Sequence, residues 1–545
     1  MYRIITTRIT KWIFGKIFFA ALIFTALSAG TFVQTHPALG GGTGTSGDPY
    51  QIKTPAHLKQ LADFINAGNG DATAGVYYIV INDLNLTDYA IGEGWNPIGY
   101  YISSGNNSYF KGNFDGNNKK VTNLKINRPT TDYQGLFGNT SGAVIENLGV
   151  ENCDIAGQNK FGGLVGGNSS SSISNCYVTG KVSGVGDISG LVGWNINSTI
   201  SNCYAAVNVS GTSKDVGGLV GYNDNSTISN CYTTGKVSGT CEVGGLVGWN
   251  SSSSISNCYA TGNVSGTCDV GGLVGWNSSS SISNCYATGK VSGTLSNVGG
   301  LVGWNYYYYS SSTISNCYAT GKVSGSDYVG GLVGHIRSST IKNCIAANDS
   351  VVSTSLIIPD NIGIINRICG DGGSGGGTLQ NNYALSTMVV KNSRGNVSIT
   401  SNLNTDAGMS KGMLDFQNLA FYTTAGNWNT ATWNINDPDG VWNICDSKSL
   451  PFLRWQGISC SGAEVATITA TAGIRIYPNP VKDELKIENG ELRIDKVEIC
   501  DLTGKTIYQF DNLKNKINVS ALSKGIYIVK LRTGKGIITN KFIKE

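Results

Sequence analysis

The stretch "GGLVGWNSSSSISNCYATGKVSG" occupies residues 271–293, and "GGLVGWNSSSSISNCYATGNVSG" occupies 244–266. The tetrad Gly-Leu-Val-Gly inside them places its Leu at 164, 191, 219, 246, 273, 301 and 332, in steps of 27, 28, 27, 27, 28 and 31. A variant, "GLFG", begins at Gly135. A second marker, Asn-Cys, places its Cys at 153, 176, 203, 231, 258, 285, 317 and 344, in steps of 23, 27, 28, 27, 27, 32 and 27. Two markers sharing one period establish a structural repeat, the first thing to settle in a long chain.

The repeat has the wrong periodicity for helices, which need apolar residues every three to four positions. In "NCYATGKV", Cys285, Ala287, Gly289 and Val291 alternate with Tyr286, Thr288 and Lys290, which is the period of a strand with the first set facing inward. "VGGLVGW" and "SSIS" are further short extended pieces between Gly, Asn and Ser turns. One unit cannot bury its inner face alone, so it stacks on its neighbours. The reading is an all-β chain: a parallel β-solenoid (β-helix) of about 27-residue repeats, with two or three strands per coil. It requires Cys231, Cys258 and Cys285 to lie on neighbouring rungs.

The chain surrounding the repeat divides by composition. Its 545 residues exceed one compact core, and 74 Gly with few charges suits short strands and tight turns. Residues 1–30 read as a signal peptide, with basic Arg3, Arg8, Lys11 and Lys16 before an apolar run at 17–29. That run is shorter than the roughly 20 residues of a spanning helix, and no later stretch reaches that length, so no transmembrane segment is expected in the mature chain. Removing the segment leaves 35 basic against 35 acidic residues, a balance that gives no pull on nucleic acid. Residues 41–130 are expected to hold an N-terminal cap and first irregular coils. Thr54 caps a short helix there, with Pro55 at its first position and Leu58, Leu61, Ala62 and Ile65 forming an apolar stripe. The solenoid proper is placed at 131–345. Residues 346–460 then read as degenerate coils and a C-terminal cap, with "CGDGGSGGGT" (369–378) a loop and "MSKGMLDFQNLAF" (409–421) a short helix. A small-residue linker at 461–473 precedes alternating strands over 474–545, the pattern of a small Ig-like β-sandwich.

The repeat resembles the GLUG motif of bacterial surface proteins, over roughly 135–345. That resemblance implies a β-solenoid on a secreted or surface protein. Some GLUG relatives are immunoglobulin A1-cleaving peptidases with a His-Glu-x-x-His zinc motif, which His36, His57 and His335 do not form. The terminal segment resembles the type A C-terminal sorting domain of the type IX secretion system, through Pro478-Asn479-Pro480, Leu502-Thr503-Gly504-Lys505, Leu522-Ser523-Lys524-Gly525-Ile526-Tyr527 and Lys541-Phe542. This resemblance implies a Bacteroidetes-type cell, engagement of the type IX machinery and export across the outer membrane.

Candidate chemistry is sparse. The Cys file reads as small buried side chains, because a line of thiols does not converge on a metal and parallel Cβ vectors disfavour disulfides. The same argument extends to Cys241 and Cys268. Cys445 and Cys460 are close enough in sequence to bridge in an oxidising compartment. The position after the tetrad holds Trp194, Tyr222, Trp249, Trp276, Trp304 and His335. It is either an outward strip for stacking on sugars or a structural aromatic ladder. The insertion Tyr306, Tyr307, Tyr308 and Tyr309 reads as a protruding binding loop. Asp187, Asp215, Glu242 and Asp269 read as a solvated turn whose charge Lys181, Lys236 and Lys290 offset. The acids Asp115, Asp437 and Asp439 lie in Asn/Gly/Pro turns and serve the backbone. No catalytic, cofactor-binding or metal-binding residue is expected, and the chain is not read as an enzyme. The expected function is an adhesive or structural surface protein with host or matrix-protein partners, or alternatively a glycan-binding or glycan-degrading β-helix.

Overall fold

The computed structural model describes residues 36–101, 107–306, 310–355, 365–371, 376–428, 433–437, 439–460, 475–478, 481–488, 494–500, 506–511, 516–523, 525–533 and 536–545. The expected signal peptide and the 461–473 linker lie outside these residues. The chain forms two compact units, one running to Phe416 and including Thr424–Trp433, the other made of Gln417–Thr423 and Asn434–Glu545.

The first unit is a parallel β-solenoid of about 12 turns. One central coil contains Val247–Ser251, Ser254–Ser256, Tyr259–Ala260, Val264–Gly266 and Val270–Gly271. Five short strands per coil thus replace the expected two or three. Each pairs in register with its counterpart one repeat later, as Trp249 does with Trp276 and Ile255 with Ile282. Three bends in this coil hold residues with positive φ, Ser252, Asn257 and Asp269. A non-glycine residue reaches that region most readily when it is Asn or Asp. The Asn of the Asn-Cys marker is such a bend residue, at φ 52–55° from Asn175 to Asn343.

The Cys that follows satisfies the backbone at the bend. Cys231 donates its N–H to Cys258 Sγ at 3.4 Å, and Cys258 to Cys285 in the same way. Each thiol donates in turn to the carbonyl two residues before it, 3.0–3.1 Å away. The three cysteines therefore stand on successive rungs. Cys153 does not join them: it pairs opposite Gly180, and the irregular step of 23 residues marks a different position in the coil. At the far end Asn382 takes the Cys place and accepts the Cys344 N–H at 3.0 Å.

Small residues set the coil spacing. A Cβ on Gly262 would lie 1.8 Å from Gly235 O, so only glycine lets these strands stack flat. Parallel to the Cys file runs a file of buried asparagines. Asn168, Asn195, Asn223, Asn250 and Asn277 each pass an amide hydrogen bond of 2.8–2.9 Å to the next, the file ending at Asn305. A tyrosine file, Tyr177 to Tyr318, stacks at 4.8–4.9 Å. The inward set Cys285, Ala287 and Val291 is buried as expected, but Tyr286 is also buried, at 6% exposure.

At the N-terminal end, the helix Pro55–Phe64 begins at Thr54, whose hydroxyl accepts the His57 N–H. Leu58, Leu61, Ala62 and Ile65 are buried. Downstream, Cys369–Asp371 is not loop but the last strand of a nine-stranded sheet, with Cys369 standing opposite Val333. Of the helix expected over 409–421, Met409–Lys411 is instead a strand paired with Tyr383–Leu385, while Met413–Phe416 and Leu419–Thr423 are helical. Trp428 packs on Tyr383, with ring centroids 4.9 Å apart. Across the described residues no helix is long and apolar enough to span a membrane.

In the second unit, a three-stranded antiparallel sheet (Arg475–Tyr477, Glu484–Glu488, Lys516–Asn518) and a four-stranded one (Thr506–Asp511, Ile494–Cys500, Gly525–Thr533, Gly536–Lys544) share one apolar core. Leu485, Ile487 and Ile517 meet Val497, Ile499, Val529, Leu531 and Phe542 there, which is sandwich packing. Cys445 and Cys460 of this unit are disulfide-bonded.

Candidate functional site

The aromatic position after the tetrad forms a partly buried ladder. Trp249 and Trp276 stack with centroids 4.7 Å apart and planes 5° from parallel, and Trp276 and Trp304 at 4.9 Å and 13°. Trp276 therefore has both faces covered by its neighbours, leaving its edge rather than a face for a ligand, whereas Tyr222 meets Trp249 at 86°. The indole Nε1 atoms of Trp249, Trp276 and Trp304 are buried without a hydrogen-bond partner. The file ends in His335, which stacks on Trp304 at 5.9 Å and on Tyr328 at 4.8 Å. Its Nε2 lies 3.9 Å from Asp371 Oδ2, too far for a hydrogen bond. Burial lowers the His335 pKa, with the nearby Asp371 opposing and Arg337 assisting.

Tyr306 belongs to the strand Val302–Tyr306, packs 5.2 Å from Trp304, and lies under the Arg337 guanidinium at 5.8 Å. It is partly buried in this cluster, while Tyr307, Tyr308 and Tyr309 lie outside the described residues. Tyr328, Arg337 and Asp371 gave no sequence signal as a group. They meet because the repeat loses its regularity after Trp304, and residues replacing the repeated ones face each other across rungs.

The acidic file is not a solvated turn. Asp215, Glu242 and Asp269 are 2%, 9% and 7% exposed, each in the left-handed conformation at φ 48–58°. Burial raises the Asp215 pKa to about 9, helped by a hydrogen bond with Asp187. Burial also raises Glu242 to about 7 and Asp269 to about 6. Tyr222 is pushed up to about 12, mainly by burial and then by Asp224 and Asp215. The expected lysines do not offset this file. Lys214 does, with Nζ 3.6 Å from Asp215 Oδ2, whereas Lys181 pairs with Asp154 at 3.2 Å.

Cys241 and Cys268 are disulfide-bonded, Cα to Cα 4.7 Å, against expectation. Both lie in bends preceding the short strands at Val243 and Val270, where no ladder holds their Cβ vectors parallel. The other ten described cysteines are free and buried, and burial pushes thiols such as Cys231 and Cys285 up. Alkylation of the native chain with a maleimide is therefore expected to modify these thiols far more slowly than in denaturant, because the reagent must reach a sulfur that the fold buries. Rapid native labelling of more than one or two thiols per chain would contradict the buried file. Among the described residues, no group of three or more His, Cys, Asp or Glu is placed to hold a metal.

In the terminal sandwich, Tyr527 donates its hydroxyl to Ser523 O at 2.9 Å and stacks on Phe542 at 5.7 Å. Gly525 and Lys541 pair within the last hairpin, opposite Lys544 and Ile528. Pro478 is exposed. Asn479, Pro480 and Gly504 lie outside the described residues.

Residues 157–183, 212–238, 239–265, 266–292 and 294–324 match the family described as "The GLUG motif". The repeat is the GLUG motif. Residues 475–545 match the "Secretion system C-terminal sorting domain", so the GLUG solenoid is followed by a type IX sorting domain. This chain is 35% identical over 119 residues to a protein of Evansella cellulosilytica named as a Gly-rich membrane protein, covering 22% of this chain and 12% of that one. It is 34% identical over 147 residues to Halomucin of Haloquadratum walsbyi, covering 26% and 2%. The chain thus matches only a small part of the length of these relatives. A solved structure from Bacteroides ovatus named as an immunoglobulin A1 protease covers 77% of this chain and 96% of its own, at 20% identity and a TM-score of 0.35. At that score the likeness carries no argument.

Proposed function

We propose that the GLUG solenoid is an adhesive or structural rod that works by presenting repeated surfaces, not by catalysis, at the surface of the cell that exports it or in the surrounding medium. The sorting domain marks the chain for the type IX machinery and for surface or secreted localisation. The observation that supports a rod is the register: the same outward residues recur on successive rungs, as in Ser254 and Ser256 over Ser281 and Ser283, and Ser265 over Ser292. A surface of this kind offers many equal weak contacts, which suits multivalent attachment.

Deleting residues 474–545 in the native cell is expected to abolish labelling of intact cells by an antibody to residues 36–460. Cells displaying the intact chain are expected to retain severalfold more on matrix-protein-coated surfaces than cells of the deletion strain. Equal retention, together with unchanged envelope integrity, would remove the adhesive and structural reading.

A further inference from the structure

We infer that the outward face formed by Thr234, Lys236 and Ser238 and their counterparts on the following rungs binds a linear anionic polysaccharide lying along the solenoid axis. The inference rests on the adhesive reading above and gives it a ligand class.

Backbone hydrogen bonds fix the order of the central file. Val209 donates to Lys236 O, Val237 to Asn263 O, Val264 to Lys290 O and Val291 to Lys322 O, all at 2.8–2.9 Å. Lys236, Asn263, Lys290 and Lys322 therefore occupy four successive rungs. The three lysines are exposed, and none makes an ion pair among the described residues, unlike Lys181 with Asp154. The Asn alternates for a local reason, since Asn263 Oδ1 accepts the Lys290 backbone N–H at 3.0 Å and Asn208 does the same for Lys236 at 3.1 Å. Exposed Thr234, Thr261 and Thr288 run along one side, and Ser238, Ser265 and Ser292 pair in register along the other. The face is thus a line of cations and amides between two lines of hydroxyls.

Charge decides the occupant. Over residues 204–344 there are six basic and five acidic side chains, and three of the acids, Asp215, Glu242 and Asp269, are buried, whereas the lysines of this face are exposed. The field over the lysine file is therefore positive. With rungs about 4.8 Å apart, Lys236 and Lys290 stand about 10 Å from each other. One sugar of an extended chain is about as long as one coil is thick, so alternating charged and neutral sugars match the Lys–Asn–Lys order. The flanking hydroxyls are partners for sugar hydroxyls. Nucleic acid carries charge far more densely than this file. The neighbouring face, with Ser254 and Ser256 repeated at Ser281 and Ser283, is neutral on those rungs and carries a lysine only further along, where Lys342 stands opposite Ser315, and the tryptophan rings stack on each other.

The test uses the purified chain against hyaluronate, in which charged and neutral sugars alternate, and against polygalacturonate and alginate, in which every sugar is charged, with dextran as the neutral polymer and single- and double-stranded DNA as competing polyanions. Lys236→Asn, Lys290→Asn and Lys322→Asn are combined, because Asn already occupies this file at 208 and 263 and preserves the fold. The triple variant is expected to melt like the parent, bind at least tenfold more weakly at low salt, and show a log Kd against log salt slope smaller by about two to three. Lys342→Asn removes one charge from the neighbouring face and is expected to change affinity less than twofold. The inference is overturned if the parent binds none of the acidic polysaccharides, if it binds DNA as tightly, or if the triple variant binds like the parent. Whole-cell adhesion that persists under any of these results leaves the rod reading standing and removes only the ligand.

Discussion

Asn250→Ala is expected to destabilise the central coils by about 3–5 kcal/mol, although it removes no charge and little apolar area. Asn250 is fully buried, accepts from Asn223 Nδ2 at 2.9 Å, and donates to Asn277 Oδ1 at 2.9 Å. Alanine leaves a buried donor on one side and a buried acceptor on the other. Each such orphan costs about 1–3 kcal/mol, and the vacated volume adds a cavity cost. The file supplies its own comparison. Asn305 sits at its end, opposite Ile336, and its Nδ2 is already without a partner. Asn305→Ala deprives only Asn277, whose amide also reaches Ser280 O at 3.3 Å, so its cost is expected to be less than half as large. Because a repeat array does not unfold as one unit, the readout is hydrogen exchange at backbone amides of coils 220–305, supported by urea midpoints. Equal effects of the two substitutions would show that the amide file is not a cooperative ladder.

The period, the parallel stacking and the rung positions of Cys231, Cys258 and Cys285 were legible in the sequence because each follows from repetition alone. So was the capping helix, since Thr54-Pro55 and the Leu58–Ile65 stripe are local signals. Positions where the coil departs from ideal alternation were not legible. Alternation leaves Tyr286 outward, but Tyr259 and Tyr318 stack on its two faces and cover it, while the acidic file, expected as a solvated turn, sits in left-handed bends such as Asp269 that turn its side chains in. That is how three carboxylates came to be buried. The Cys241–Cys268 bridge escaped for the same reason: the argument against it holds for ladder strands and fails in a bend. Cys153 shares the Asn-Cys dipeptide without sharing the coil position, and its step of 23 residues is the sequence signal of that difference. The equivalence of Asn382 with the Cys file needed the structure, since only geometry shows that an amide oxygen can accept the N–H otherwise taken by a thiol. Of the candidate site, the aromatic file was legible but not its orientation. Stacking between rungs, a contact between residues 27 positions apart, decides that the ring faces are covered.

Asp215→Asn is expected to stabilise the solenoid, by an amount set by pH. The Asp215 pKa rises from 3.8 unfolded to about 9 folded, because burial and the hydrogen bond with Asp187 outweigh the nearby Lys214. Below about pH 4 the carboxyl is protonated in both states and contributes no pH dependence. Between about 4 and 9 the unfolded chain releases the proton while the folded chain keeps it, so folding stability falls with rising pH, at up to about 1.4 kcal/mol per unit. Above about 9 the loss is complete and constant. Asparagine cannot ionise, and the site accepts it: Asn297 stands in the same file at φ 61° and donates to Asp269 Oδ1 at 2.6 Å. Parent and variant are therefore expected to have similar urea midpoints at pH 4, and to diverge progressively to a variant advantage of about 2–5 kcal/mol at pH 8, the lower end reflecting the Lys214 contact. Differences between the two proteins cancel every titrating group that does not interact with Asp215, leaving Asp215 and its neighbours Asp187, Glu242 and Tyr222. A variant that is less stable than the parent at pH 8, or an advantage that does not grow between pH 5 and pH 8, would mean that Asp215 is ionised and held by Lys214, and that the acidic file is a charged element of the fold rather than a protonated one.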